Sequence, residues 1–326
     1  MPNSLLILAR ALHFGSGMIL VGVVAFRWLV LLPAFAGESD ETWQKFTPFF
    51  RKLHFLFVGA GIVLIASGFL WFWAVSANMS SSSLTDSLSL DTLSTVFFQT
   101  QFGTVCQWRI GFAVVLAFAM GALAWKRWTL QRKRSWLEIA AGLLAAALVV
   151  SIAWTGHAAA TGGADFWWRV LADATHLFAA TIWPTGLLPF ALFLGCARRL
   201  PDDAILLPTL SAAARFSSLS FLVVGVLIAT GTINTYFIVG SFQALVTTDY
   251  GRLLCLKLFL LLLILGIAAR NRYHLLPRLL SPASTPNHSP LIPLLSRLQG
   301  FVLTEFCVAV TIVVVTSVLG TTPPPR

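Results

Sequence analysis

FSSLSFLVVGVLIATGTINTYFIV, residues 216–239, runs for 24 residues without a charged side chain. At 1.5 Å per residue, a helix of that length crosses the hydrocarbon core of a bilayer, about 30 Å thick. Lipid offers the backbone no water to bond, so the run must be a helix that pairs its own N–H and C=O groups. Seven further runs of this kind lie near 5–32, 53–76, 105–125, 136–156, 169–194, 252–270 and 299–319. Composition agrees: 57% of the 326 residues are hydrophobic and 10% charged, where a soluble domain carries about a quarter charged residues. The expectation is an all-α integral membrane protein with eight transmembrane helices, forming a single transmembrane domain over 1–326.

Basic residues set the orientation. They gather after the odd-numbered runs: Lys45, Arg51 and Lys52; Lys126, Arg127, Arg132, Lys133 and Arg134; Arg198, Arg199 and Arg215; Arg270, Arg272, Arg278 and Arg297. These loops hold 15 of the 22 lysines and arginines, whereas 77–104, 157–168 and 240–251 hold none. By the positive-inside rule the basic loops are cytoplasmic and both termini periplasmic. The net charge of +10 is therefore a topology signal. No basic stripe interleaved with aromatics suggests nucleic acid. Ala34-Phe35-Ala36 has the form of a signal-cleavage site, but Arg27 and Trp28 interrupt the run before it. Cleavage would also invert every later loop, so the first run reads as a span. The Ser-rich periplasmic loop 77–104 is too polar to span and is expected to carry a short interfacial helix.

The two halves echo each other. Ala11-Leu12-His13 matches Ala174-Thr175-His176, and Ile65-Ala66-Ser67-Gly68 matches Ile228-Ala229-Thr230-Gly231, both at an offset of 163. Phe102-Gly103 with Arg109 matches Tyr250-Gly251 with Lys257, and Gly156 pairs with Gly320. These correspondences predict two parallel four-helix repeats, 1–157 and 166–326. Transporters place substrate sites where such repeats meet.

Several stretches carry a resemblance. They are Thr155-Gly156-His157-Ala158-Ala159-Ala160, Asp173-Ala174-Thr175-His176-Leu177 with Trp183 and Gly186, and Thr230-Gly231-Thr232-Ile233-Asn234. Asp249-Tyr250-Gly251-Arg252-Leu253-Leu254, Lys257, Arg270-Asn271-Arg272 and Leu319-Gly320-Thr321-Thr322-Pro323-Pro324 follow. In this order they resemble the copper resistance protein D family of bacterial inner-membrane copper transport proteins, most closely from 150 to 326. Two positions depart from the family pattern. Its tryptophan–any–glycine–glycine reads Trp183-Pro184-Thr185-Gly186, and Leu20 stands where a tryptophan is common. Both bear on helix packing and kinking. The resemblance implies copper movement from periplasm to cytoplasm, often beside a soluble periplasmic copper-binding partner.

Imidazole suits copper, and ionisable groups inside a membrane are rare unless they work. His13 and His176 fall roughly 12–14 Å below the outer surface, and His157 sits at the outer end of the fourth run. The three are the candidate copper ligands; packed core histidines bonded to carbonyls are the alternative. Met18 lies deeper along the same path, as a weaker ligand or a gap-filler. Asp173, three residues before His176, either fixes its tautomer or neutralises Arg109 or Lys257. Trp183 shares the face of His176 and reads as packing. Glu305, a turn or two in from the cytoplasmic end, is a candidate proton site or exit ligand, against a buried ion pair. Arg27 reads as snorkelling to the inner surface, and His54, His274 and His288 as solvated or interfacial. The isolated Cys106, Cys196, Cys255 and Cys307 form no metal or redox motif.

No phosphate-binding loop, H-E-x-x-H or G-x-S-x-G occurs, so no enzyme is expected. Two rivals to transport stay open. One is a membrane b-type cytochrome with His13 and His176 as bis-histidine haem ligands. The other is a copper-sensing or assembly partner that moves nothing.

Overall fold

The computed structural model describes residues 2–81, 83–133, 135–154, 165–200, 205–281 and 291–325; these are helical almost throughout and contain no strand. Eight helices are long and apolar enough to cross a membrane: Ser4–Ala34, Thr47–Met79, Gln101–Trp125, Trp136–Trp154, Phe166–Ala197, Leu206–Val239, Asp249–Leu280 and Ile292–Leu319. They are numbered here as the first to eighth spans. In chain order they alternate between a side that holds both termini and a side that holds the basic loops.

Several helices outrun the apolar runs. The second begins at Thr47, the sixth at Leu206 and the eighth at Leu291, because Arg51, Lys52, Arg215 and Arg297 continue the helix beyond its apolar part. The sixth ends where Gly240 takes a left-handed backbone, φ 70°, the usual stop for a helix.

The first and fifth spans are the most buried and the sixth and seventh the least. The first packs on the second and fourth, the fifth on the sixth and eighth, and the first and fifth meet. On the basic-loop side this junction is filled by Phe26, Phe49, Phe190, Phe193 and Phe216, with ring centroids 4.5 to 6.5 Å apart. These rings meet in edge, tilted and stacked contacts, and Phe190 and Phe216 also line a cavity on that side. Phe55, Phe69, Phe118 and Leu262 point outward, as lipid-facing side chains do.

Three irregularities interrupt this plan. The first span takes a π-helical turn at Phe26–Leu31, and the seventh takes one at Asn271–Leu275. The fifth span is broken: Phe166–Ala180 stops, Thr181 and Ile182 turn, and Trp183–Ala197 resumes with Pro184 in its first turn. Proline has no N–H to offer the preceding helix, so it starts a new one easily and continues an old one badly.

In the Ser-rich stretch a helix does form, at Leu90–Gln99, and Phe242–Thr247 takes the matching place before the seventh span. Each leads into a threonine cap. Thr100 Oγ1 accepts from Gly103 N at 2.9 Å, and Thr248 Oγ1 accepts from Gly251 N at 3.0 Å. The glycines are required, since a Cβ on either would collide with carbonyl oxygens of the short helix before it.

Candidate functional site

His13 is buried in the first span, about three turns from its start. Its Nδ1 lies 3.0 Å from the Leu64 carbonyl oxygen and 3.3 Å from Ser67 Oγ, both on the second span. Its Nε2 meets the guanidinium of Arg109. Arginine can only donate, so Nε2 is the acceptor and the ring proton sits on Nδ1, given to Leu64. Both nitrogens of His13 are thus committed. Arg109 is itself buried, donating to the Leu148 carbonyl at 3.0 Å and to Ser151 Oγ, with its guanidinium 4.8 Å over the Trp71 ring. Arg10 stacks on the same tryptophan at 5.8 Å and on Phe14 at 5.1 Å.

His176 stands 163 residues later and is held alike, but only on one nitrogen. Its Nδ1 lies 3.0 Å from Thr230 Oγ1, and Thr230 spends its one hydroxyl proton on the Val226 carbonyl at 2.7 Å. The imidazole must therefore donate from Nδ1, which leaves Nε2 with its lone pair. Among the described residues no hydrogen bond reaches that nitrogen. His176 lines a cavity of about 120 Å³ together with Met18, Trp183, Lys257 and Thr316. Met18 reaches it from the first span, so a methionine and a histidine border one space. His13 does not line it.

Asp173 answers the choice left open by sequence. It accepts from Asn234 Nδ2 at 3.3 Å and faces the charge of Lys257, while the His176 proton goes to Thr230. The offset of 163 carries Asp173 back to Arg10 and Asn234 back to Trp71. Positions 163 residues apart thus hold a carboxylate–amide pair at Asp173 and Asn234 and a cation–π pair at Arg10 and Trp71.

On the basic-loop side, Glu305 is 3% exposed and receives Asn271 Nδ2 at 2.5 Å. Because the eighth helix starts at Leu291, Glu305 lies about four turns from its beginning, deeper than the apolar run implies. It lines a cavity of about 230 Å³ with Asn271, Arg272 and Trp183.

Arg27 does not snorkel. It is fully buried, 3.4 Å from Glu138, and donates to the Gln131 and Lys133 carbonyls at 2.5 and 3.3 Å. Loop carbonyls and an internal acid supply what water would have supplied at the surface. Glu138 escaped sequence reading because it opens its span, where an acid passes for interfacial.

His54 is half-buried and His274 exposed. His157 and His288 lie outside the described residues. Among those described, no three of His, Cys, Asp and Glu cluster closely enough to hold a metal ion.

Residues 1–168 match the family model described as copper resistance protein D-like, N-terminal domain, and residues 210–319 match that of copper resistance protein D. The chain belongs to the copper resistance protein D family. Met18, His13 and Arg109 fall in the first match, and Lys257, Asn271 and Glu305 in the second. His176 and Trp183 lie between the two.

Among curated relatives, the chain is 30% identical to the inner membrane protein YebZ of Escherichia coli (strain K12), over 69% of this chain and 70% of that one. It is 35% identical to copper resistance protein D of Pseudomonas syringae pv. tomato, over 41% of this chain and 44% of the relative. It is 36% identical to the copper transport protein CutJ of Bacillus subtilis (strain 168), over 36% of this chain. The chain thus spans less than half of these last two, 44% and 21% of their lengths. No solved structure matches it.

Proposed function

We propose that this chain carries copper across the bacterial inner membrane from periplasm to cytoplasm, with the termini on the periplasmic side. One observation carries the reading: Met18 and His176 border one cavity near the termini side, and the Nε2 of His176 has no hydrogen-bond partner there among the described residues. Thioether and imidazole together suit copper, the thioether favouring Cu(I). Family membership and the printed name of the Bacillus relative support the same cargo. The two halves act as parallel repeats, 1–157 and 166–326, meeting along the first and fifth spans.

His157, which lies outside the described residues, completes the ligand set. His13 joins only when Arg109 withdraws from its Nε2. A haem bridging His13 and His176 would need that same nitrogen, so transport is preferred to the cytochrome reading. A soluble periplasmic copper-binding protein is the fitting donor.

Copper uptake into proteoliposomes tests the reading. The parent protein should load the vesicles, and His176→Ala should abolish loading while remaining folded. A copper-independent Soret band in the purified protein, or uptake unchanged in His176→Ala, overturns it. The orientation has its own check: a C-terminal fusion to a reporter active only in the cytoplasm should be silent.

A further inference from the structure

Trp183, 2% exposed, is shared by two cavities. On the termini side it walls the Met18–His176 space, and on the basic-loop side it walls the Glu305–Asn271 space. It opens the second segment of the broken fifth span, with Pro184 next to it. A bulky ring at a helix break thus stands between two chambers.

The chambers differ in chemistry. The first offers sulfur and imidazole nitrogen. The second offers Glu305, the Asn271 amide and the hydroxyls of Ser217, Ser220 and Tyr273, with no sulfur or imidazole on its wall. Copper(I) finds no ligand of its own kind there, whereas oxygen sets suit hard cations.

An ionised carboxylate only accepts, so Asn271 must turn its NH₂ toward Glu305. That leaves Asn271 Oδ1 buried with no partner among the described residues, in a side chain only 8% exposed. A buried carbonyl oxygen without a partner is costly, and a bound cation supplies one. A protonated Glu305 does so too, since its O–H donates to Oδ1 once the amide turns over.

The charges around Glu305 favour an exchangeable cation. Arg272 lines the same cavity but spends its guanidinium on the Ser217 carbonyl and Oγ, each at 2.9 Å, and on the Phe221 ring. Among the described residues no basic side chain forms an ion pair with Glu305. The fifth and sixth spans face it with Trp183, Ser217 and Ser220, and the seventh with Asn271, Arg272 and Tyr273. Glu138, the buried acid of the other half, has its own cation in Arg27, and Arg27 lies in a π-helical turn as Asn271 does. Where one half holds a resident arginine, the other holds a neutral amide and a cavity.

We propose that the Glu305–Asn271 cavity binds an exchangeable hard cation, a proton or an alkali metal ion, whose occupancy is coupled across Trp183 to copper in the Met18–His176 cavity. The coupling rests on the transport reading; the binding does not. Two measurements keep them apart.

The first is thermal unfolding of the purified full-length protein without copper. It is run in sodium against choline chloride at fixed pH, then across pH without sodium. Ligand binding to the folded state raises the midpoint by mass action. A shift with sodium identifies the alkali ion, and a shift with acid the proton. In either case the part due to this site is the difference between the parent and Glu305→Gln. Asn271→Ala, which keeps the carboxylate, should weaken the cation's apparent affinity at least tenfold. Identical responses in parent and both variants overturn the site.

The second is copper uptake under an imposed gradient of whichever cation binds. The gradient should change the parent's rate several-fold and leave that of Glu305→Gln unchanged, with its copper affinity within about twofold of the parent's. A gradient response that survives in Glu305→Gln overturns the coupling. A cation shift without any copper movement leaves the site standing and overturns the transport reading instead.

Discussion

The N-terminal and C-terminal halves bury the same kinds of polar residue and treat them in opposite ways. In the first half His13 is bonded through both nitrogens, by Leu64 and Arg109, and Glu138 is neutralised by Arg27. Among the described residues of the second half His176 is hydrogen-bonded through one nitrogen and Glu305 by a single amide, and both border cavities. Buried polar groups must find partners. In the first half Arg27 and Glu138 answer each other's charge at 3.4 Å, although both Glu138 oxygens make no hydrogen bond among the described residues; in the second, Asn271 Oδ1 and the cavity beside Glu305 leave capacity for something that comes and goes. The contrast lies between the groups packed around His13 and Glu138 and those bordering cavities at His176 and Glu305.

The sharpest way to break that contrast is to remove Arg27. Breaking a buried ion pair strands the remaining charge, at a cost of about 3–5 kcal/mol. Arg27→Leu should therefore unfold at markedly lower temperature or denaturant concentration than the parent. The double variant Arg27→Leu/Glu138→Leu should recover much of the loss, because no charge is stranded. Glu305→Gln should be nearly neutral by the same measurement. If Arg27→Leu is also neutral, the closed half is not closed by this pair.

These contrasts divide what sequence makes legible from what it hides. Eight spans follow from hydropathy alone, because the apolar runs are long and well separated. Helix ends do not, since Arg51 or Arg215 can extend a helix past its apolar part without any hydropathic trace. The break at Thr181–Ile182 is invisible in an apolar run, although the unexpected Pro184 marks its neighbourhood. His13 and His176 stand out as intramembrane histidines. What separates them is Arg109, 96 residues from His13 and unrelated to it by any local pattern. Arg27 misleads for a physical reason: near a span end an arginine ordinarily reaches water, and only the packed loop at 128–133 and Glu138 reveal that this one does not.

The groups behind the two histidines give a second, smaller test. Thr230 Oγ1 is the 3.0 Å acceptor for the His176 Nδ1 proton, with the Leu227 carbonyl as a further acceptor, so Thr230→Val should weaken copper binding by roughly 10-fold, the low end for loss of a ligand's supporting partner. Ser67→Ala, its counterpart beside His13, should leave copper affinity unchanged, since Leu64 still takes the proton. Binding by the parent should also weaken in acid, since neutral imidazole is the ligand form and protons compete with the metal for it. Equal losses in the two variants would place both histidines in the copper site and erase the distinction between the halves.

The smallest expected effect probes what the halves share. Thr100 and Thr248 cap the third and seventh spans with matching geometry. Each accepts from the glycine three residues on, at 2.9 and 3.0 Å, and each donates to the carbonyl four residues back at 2.6 Å. Loss of such a cap costs about 1 kcal/mol, with no reason for the two to differ if only the polar chemistry has diverged. Thr100→Ala and Thr248→Ala should therefore lower the unfolding midpoint by similar, modest amounts, and copper affinity should not follow. The glycines beyond the caps sit against the Phe97 and Leu245 carbonyls with no room for a side chain, so the backbone path at both corners is held independently of the threonine. A large loss at one corner and none at the other would mean that the scaffolds themselves differ, and the contrast between a closed and an open half would then need no chemistry to explain it.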